Sequence, residues 1–535
     1  MKHFRHYLFF ALMALLGLPS FAQELPAPAS KLSRAEATAA NRQPSIPRPE
    51  QDAAALEKLE AFEARSGQKP NILIFIVDDM GYGDPGAFGG GEMIGAATPE
   101  MDALAAEGLK LTSTYAQYTC TPTRASVYTG RLPFRTGLIR PILAGDAISV
   151  NPWEGELSVA GLLSEAGYHT LLTGKWHIGE DEGMRPHDVG FDEFYGYYKA
   201  QKEYTQDVYE MRFPDLVLDE DKRARYESIG SNNDLIYGLA DGTTDTVETI
   251  DSIEKMAEAD VRLKDYTVQR IRELSDGDQP FFISHSFMKV HADNFAAEDF
   301  KGASASKFPY RDNMVEVDSH IGEIVDVLEE VGQLDNTFIF VTSDNGPQMD
   351  SWPDSGYTPF RGAKGTTWEG GVRVPGIAYW RGMIEPGRVS DGLFDLMDLF
   401  DTSLALGGVD TSTLPTDRYW DGIDQTSFFI VDDGESKREH VYNWLGSTLA
   451  AMRMREYKAH LHVALAQEKF LWIDMATVVP TGLAPWLFNL YVDPKEEYPV
   501  GHRMNAWTAS LGAEMRAHAA TFRQFPPKDL GLGID

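Results

Sequence analysis

A chain of 535 residues with 43% hydrophobic and 24% charged residues has enough apolar material for one large domain and a smaller one. Acidic residues number 81 against 48 basic ones, a formal net charge of −33; this argues against a nucleic-acid binder, which needs a basic footprint. It also sets a condition on any anionic substrate, because positive charge must then be gathered locally at the site.

The first 22 residues read as a signal peptide. Lys2, His3 and Arg5 give a positive start, Leu8 to Leu18 an apolar run, and Ser20-Phe21-Ala22 a small-residue cleavage site. A membrane anchor is the alternative, but the run is short for a bilayer. No later segment has the length and apolarity of a membrane span. The single cysteine, Cys120, rules out an intrachain disulfide and a thiolate zinc site. It does not follow the signal segment, which argues against lipid attachment there. No Asn-x-Ser/Thr acceptor occurs. Together these features indicate an exported bacterial protein, periplasmic or secreted, with no membrane span in its mature form and no nucleic-acid partner.

Residues 23–69 are expected as a flexible N-terminal segment, rich in Ala, Pro and Arg up to residue 50. Leu56, Leu59 and Phe62 predict a short helix over 51–65. The unbroken run Ile72 to Val77 suits a strand buried on both faces of a parallel sheet. Further strands are predicted at Tyr168–Thr173, Phe281–Phe287 and Phe338–Thr342. They follow helices near 156–166, 258–274 and 311–331, the last with Met314, Val317, Ile321, Ile324 and Leu328 on one face. Strands alternating with helices predict an α/β fold, a large mainly parallel sheet flanked by helices, over residues 70–425. Within it, 200–257 is acidic, irregular and rich in tyrosine. An inert surface insertion and a substrate-selecting loop fit it equally well. Over 426–535 the pattern changes to a smaller α+β subdomain. Met452 to Lys458 alternates like an antiparallel strand, Phe470–Ile473 can pair near it, and a helix is expected near 505–520.

In α/β sheets ligands bind beyond the carboxyl ends of the strands. Asp78 and Asp79 follow the first predicted strand, Gly174-Lys175-Trp176-His177 the second, Lys289 and His291 the third, and Ser343-Asp344-Asn345-Gly346 the fourth. Asp78, Asp79, Asp344 and Asn345 offer hard oxygen ligands that suit Ca²⁺ or Mg²⁺. Adjacent buried aspartates repel each other unless a cation sits between them; a loop cap is the plainer reading of an Asp-Asp pair alone. In Cys120-Thr121-Pro122-Thr123-Arg124-Ala125-Ser126-Val127-Tyr128-Thr129-Gly130-Arg131, Pro122 suits the first turn of a helix and Gly130 its end. Cys120 would then lie at a helix N-terminus, where anions are favoured, with Arg124 one turn on. An inert buried cysteine and a plain thiolate nucleophile both remain open at this point.

The C-x-P-x-R string with Ala125-Ser126 and Thr129-Gly130-Arg131 resembles the signature of the type I sulfatases, the formylglycine-dependent, arylsulfatase-like enzymes of the alkaline-phosphatase-type superfamily. The likeness continues in order along the chain. Ile76 to Asp84 resembles the family's opening strand and metal loop, and Gly174 to Gly179 its lysine–histidine motif. Thr342 to Gly346 resembles its second metal motif, Phe360 to Pro375 its late lysine motif, and Leu490 to Pro494 a common C-terminal element. It spans roughly residues 70–500.

The resemblance implies hydrolysis of sulfate monoesters, with Cys120 oxidised to formylglycine by a maturation enzyme. It implies one Ca²⁺ held by Asp78, Asp79, Asp344, Asn345 and residue 120. Arg124 would hold the modified side chain, Lys175 and Lys364 would bind sulfate oxygens, and His177 would act as base when sulfate is expelled. His291 or Lys364 would protonate the leaving alcohol. The surroundings of His291, Lys289-Val290-His291-Ala292-Asp293, depart from those of many relatives, which leaves His285 as a rival. Lys289 receives no role and is expected to be solvated. A formylglycine hydrate answers a chemical difficulty: a serine nucleophile would end as a sulfate ester about as inert as the substrate, whereas a hydrate retains a second hydroxyl. The substrate is expected to be a small sulfate ester or, given export and the aromatic-bearing insertion, a sulfated glycan. Phosphonate or phosphate ester hydrolysis with the same nucleophile, or non-catalytic glycan binding on the same scaffold, are the alternatives.

Overall fold

The structure, a computed structural model, describes residues 28–143, 146, 148–200, 208–228, 234–349, 354–464 and 478–532. The expected signal peptide and the strand expected at Phe470–Ile473 lie outside the described residues.

The apolar run at residue 72 becomes β1 (Asn71–Val77), every residue of which is buried. The strands that follow in the same sheet are β2 (Leu109–Tyr115), β3 (His169–Lys175), β4 (Glu193–Tyr197), β5 (Asp234–Leu239), β6 (Thr244–Thr249), β7 (Phe281–Ser286), β8 (Thr337–Ser343), β9 (Arg373–Tyr379), β10 (Arg388–Ser390) and β11 (Phe394–Asp395). Across the sheet the order is β10-β2-β9-β8-β1-β7-β3-β4-β5-β6, with β11 on β2. The centre, β8-β1-β7-β3-β4, is parallel, while β9 and β5 run antiparallel to it at its flanks and β6 pairs antiparallel with β5. Alternation along the central strands feeds two cores. Ile72, Ile74, Ile76, Phe282 and Phe340 face the helices Pro49–Ser66, Cys120–Thr129, Val159–Glu165 and Asp398–Leu406. Leu73, Phe75, Val77, Ile283 and Val341 face Pro99–Glu107, Ala259–Leu274 and Pro309–Glu330. The sheet is thus covered on both faces, as the continuous apolar strands require.

Three local expectations are corrected. Residues 28–48, read as a flexible lead, are bound to the body: the Arg34 and Ala35 amides donate to the buried Glu439 carboxylate at 2.6 and 2.9 Å, and the Trp420 amide donates to the Asn41 carbonyl at 2.9 Å. The 200–257 segment is not irregular throughout. Its described parts form helices Pro214–Val217 and Glu220–Ser228 and the β5–β6 hairpin, which extends the sheet edge. The alternating run Met452–Lys458 is two strands, because Arg455 adopts φ 55° and turns the chain.

That turn joins β13 (Thr448–Met454) to β14 (Tyr457–His460). With β12 (His440–Leu445) and β17 (Trp486–Asn489) they form an antiparallel sheet in the order β12-β13-β14-β17. β15 (His462–Ala464) and β16 (Val478–Pro480) pair separately. Helix Asn505–Gln524 covers the small sheet with Leu511, Met515 and Phe522. Among the described residues no helix is long and apolar enough to cross a membrane.

Candidate functional site

Parallel packing of β1, β3, β7 and β8 brings their carboxyl ends to one rim. Asp78 and Asp79 leave β1, Lys175 ends β3, and Asp344 and Asn345 leave β8. Beyond Ser286 the chain continues alongside the end of β1: the Asp78 amide donates to the Lys289 carbonyl at 3.1 Å, and the Val290 amide to the Asp78 carbonyl at 2.8 Å. That pairing delivers His291 to the same rim. Gly174 makes the turn into Lys175 possible. Its φ is +100°, and a Cβ there would lie 1.8 Å from the Ser286 carbonyl oxygen. Asp79 and His177 adopt φ 63° and 61°, a conformation that costs non-glycine residues energy and persists where surrounding contacts enforce it.

Cys120 is the first residue of helix Cys120–Thr129, and Gly130 closes the helix at φ 65° with its amide on the Ser126 carbonyl. The Cys120 thiol lies 3.7 Å from Asp78 Oδ1. Ligand atoms of Asp78, Asp79, Cys120 and His291 all lie within 4.8 Å of one another. Lys175 Nζ donates to Asp78 Oδ2 at 2.5 Å, and Lys364 Nζ to Asp79 Oδ1 at 2.5 Å. Asn345 Nδ2 donates to Asp79 Oδ1 at 2.7 Å, and Asp344 Oδ1 accepts from the Asp79 amide at 3.2 Å. Asp78, Asp79, Cys120, Lys175, His291, Asp344, Asn345 and Lys364 are thus brought together in one buried cluster.

Arg124 lies one helical turn beyond Cys120 and is fully buried. Its Nε and one terminal nitrogen donate to Asp344 Oδ2 at 3.0 and 2.9 Å, and the other donates to the Lys175 carbonyl at 2.8 Å and to the Ser286 hydroxyl. It fixes the β3, β7 and β8 ends beneath Cys120. Two further corrections concern β7 and the loop after it. Lys289 is not solvated: its ammonium is fully buried on Glu316 and on the Ala257 carbonyl, 2.7 Å away. His285 is no rival to His291, since it lies in β7 with Nδ1 on the Thr267 hydroxyl at 2.8 Å, in contact with Phe75 and Phe287.

Hydrogen bonds set the histidine tautomers. The Ile142 carbonyl takes His177 Nε2–H at 3.0 Å, leaving the buried Nδ1 as a bare acceptor. The Ala292 carbonyl takes His291 Nδ1–H at 2.5 Å, leaving Nε2 bare and 3.7 Å from Asp79 Oδ2. Burial, reinforced by Lys175 and Arg124 at His177 and by Lys364 and Lys175 at His291, holds both rings well below the usual imidazole range, hence neutral. Burial pushes Asp79 up to about 6 against the pull of Lys364. At Asp78 burial acts in the same sense, but Lys175, Arg124 and Lys364 outweigh it and leave the carboxyl below its ordinary value. Burial raises the Cys120 thiol to about 12, so the unmodified side chain is not a thiolate at neutral pH.

The charges of Asp78, Asp79 and Asp344 balance those of Lys175, Lys364 and Arg124. Asp79 Oδ2 and Asn345 Oδ1 are buried without a hydrogen-bond partner, a costly condition that a bound cation would relieve. Oxygen donors that already border one another fit a hard divalent ion. Sequence reading missed Ser286, a β-strand serine with no local signal. It also gave no role to Asp84, which braces the metal loop by accepting from the Gly81 and Tyr357 amides at 2.7 and 2.9 Å and from the Tyr310 hydroxyl at 2.7 Å.

Residues 70–409 match the sulfatase family model. The chain is 34% identical to N-acetylgalactosamine-6-sulfatase of Canis lupus familiaris over 461 residues, covering 82% of this chain and 83% of that protein. It is 30% identical to an arylsulfatase of Hemicentrotus pulcherrimus over 467 residues, 81% of this chain and 78% of that one. Among solved structures, PsFucS1 sulfatase from Pseudoalteromonas sp. superposes with a TM-score of 0.90 at 49% identity, covering 93% of this chain and 99% of that one.

Proposed function

The chain belongs to the sulfatase family and is a sulfuric ester hydrolase, and from that premise we propose which groups perform the reaction and on what substrate. The observation that carries the reading is the convergence of Cys120 with Asp78, Asp79 and His291 inside a pocket walled by Lys175, Lys364 and Arg124. Asp78, Asp79, Asp344, Asn345 and residue 120 would hold a Ca²⁺ ion, with His291 at its border. A divalent cation added to a charge-balanced pocket leaves it net positive, which meets the local requirement an anionic ester imposes on a protein of charge −33. The ion would supply electrostatic stabilisation to sulfate oxygens, and formylglycine at residue 120, made by a maturation enzyme, would supply a hydrated aldehyde as nucleophile.

The chain's own residues then divide the remaining work. Lys175 and Lys364 present ammonium protons to non-bridging sulfate oxygens, where charge develops. Arg124 keeps the strand ends, and so both lysines and Asp344, in register. His177 accepts a proton at Nδ1, the nitrogen left bare by the Ile142 carbonyl. His291 carries no proton on Nε2 in the tautomer fixed by Ala292, so protonation of the leaving alcohol falls to Lys364. Burial alone would weaken the Lys364 ammonium, but Asp79 and the other anions around it raise its pKa and keep it charged.

The natural substrate we propose is a sulfated glycan, in line with the amino-sugar sulfate named for the mammalian relatives. Export to the periplasm or medium accords with a glycan too large to enter the cell. Replacing Cys120→Ala should abolish turnover of sulfate esters; full activity in that variant defeats the nucleophile assignment. Mass analysis of the peptide around residue 120 reads the modification directly. Matched sulfate and phosphate esters distinguish a sulfatase from a phosphonate or phosphate ester hydrolase using the same nucleophile. A panel of sulfated glycans beside simple aryl sulfates tests the substrate class, and turnover confined to aryl sulfates would remove it.

A further inference from the structure

Lys364 lies in the turn region between β8 and β9, with Arg361 on one side and Trp368 and Glu369 on the other. Toward the pocket its backbone is joined to the two segments that carry the chemistry: the Lys364 amide donates to the Pro347 carbonyl at 3.1 Å, and the Gly365 amide to the Tyr118 carbonyl at 2.8 Å. The opposite side is fastened to the small C-terminal sheet. Arg361 stacks on Trp368 at 3.8 Å and donates to the Glu496 carbonyl at 2.9 Å. Trp368 packs on His460 and Phe488 with centroids 4.4 and 6.0 Å apart. The Glu369 amide donates to Glu496 Oε2 at 2.8 Å, and His460 Nε2 to Glu496 Oε1 at 2.6 Å. Lys458 Nζ donates to Glu369 Oε1 at 2.8 Å. Glu369, Lys458, His460 and Glu496 are all fully buried.

Glu496 is the pivot. Its backbone carbonyl and both carboxylate oxygens hold, in turn, Arg361, the Glu369 amide and His460, and it does so at φ 53°. Charged groups without access to water hold a geometry only as a complete set, because removing one strands the others. We propose that Lys458 and His460 of the C-terminal sheet, with Glu496 of the segment that follows its last strand, are positioning residues for Lys364. The small sheet is then a working part of the catalytic pocket, setting the ammonium that faces the sulfate from behind its loop. The proposal rests on the sulfatase reading, in which Lys364 touches the substrate.

A double-mutant cycle tests it. Glu496→Gln keeps the shape but turns one accepting oxygen into a donor facing an N–H. It should lower kcat/KM for a sulfate ester roughly tenfold to hundredfold, the scale of a misplaced reacting group, with the loss mainly in kcat. In a Lys364→Ala background the same substitution should change kcat/KM less than about twofold, because the group it positions is gone. Equal losses in both backgrounds, or no loss in the first, overturn the proposal. Hydrogen exchange of residues 361–369 should accelerate in Glu496→Gln while residues 120–129 stay protected; unchanged exchange at 361–369 also overturns it. If Glu496→Gln does not fold, the pair Glu369→Gln/Lys458→Gln removes both charges together and is read in the same way. Absence of any sulfate-ester turnover by the wild-type enzyme would defeat the sulfatase reading, while the exchange comparison would still decide whether the small sheet holds the loop.

Discussion

Two buried clusters of charge flank the loop that follows β7, and they are built on opposite rules. On the sealed side Asp260 accepts the Met288 and Lys289 amides at 2.9 and 3.2 Å, Glu316 accepts Lys289 Nζ and the Ala297 amide, and Lys289 also reaches the Ala257 carbonyl. Each charged atom there has a partner. On the pocket side Asp79 Oδ2 and Asn345 Oδ1 are equally buried and have none. Burial and charge alone do not separate scaffold from site. These two clusters differ in whether the protein satisfies the oxygens itself, and at the pocket a bound cation would relieve the cost of leaving two of them unpaired.

The largest effect is expected from breaking the sealed side. Lys289→Met leaves Glu316 as an unpaired buried carboxylate and should cost about 3–5 kcal/mol of stability, measured by denaturant unfolding. The companion change Lys289→Met/Glu316→Leu should recover most of that loss. If the single variant is as stable as wild type, the cluster does not hold the loop. The pocket should respond in the opposite sense, to addition rather than removal. Calcium at a hundredfold excess over its dissociation constant should stabilise the fold by about 2.7 kcal/mol, read as a rise in Tm on adding Ca²⁺ after chelation. The rise should vanish in Asp79→Asn and in Asn345→Ala. A Tm indifferent to calcium in the wild-type protein would mean that the orphaned oxygens await something other than a hard cation.

The contrast also marks what the sequence could show. The central strands were legible because Ile72 to Val77 is apolar without interruption, and Asp78, Asp79, Lys175, His177, Asp344 and Asn345 because ligand-type residues stand directly after strand ends, whereas Lys364 entered only through the family resemblance. Chain direction and parallel pairing bring such positions together without further information. Lys289 was misread because a lysine in a loop is ordinarily hydrated. Its partner, Glu316, stands on a helix whose apolar stripe is visible in sequence, whereas its buried polar face is not. The turn at Arg455 was hidden because alternation continues through it in register, and the binding of residues 28–48 depends on Glu439, some four hundred residues away. The same distance problem hid the Glu369–Glu496 contact. Local pattern specifies elements and their ends; pairings between distant charges require the folded chain.

The smallest of these effects concerns protons. His320 lies on helix Pro309–Glu330, buried with its ring edge-on to Phe300 at 5.6 Å, and its Nδ1 has no hydrogen-bond partner. Burial, with Lys289, Lys264 and His285 adding repulsion, lowers its pKa to about 2. The ring is therefore neutral in the folded protein at any pH near neutrality, while in the unfolded chain it titrates near its ordinary value of 6.5. Below that value the unfolded state binds a proton that the folded state refuses, so stability falls with pH through the window between 6.5 and 2. By pH 5 the loss from this one ring amounts to about 2 kcal/mol. Measuring Tm from pH 7.5 to 5 in wild type and in His320→Gln tests the assignment, since glutamine keeps a polar atom and cannot titrate. The variant should start lower, having changed a packed ring, and should lose less on acidification. Parallel slopes would place the acid sensitivity elsewhere, with His285 next in turn, because burial holds it at about 3 and its Nε2 is likewise unpartnered.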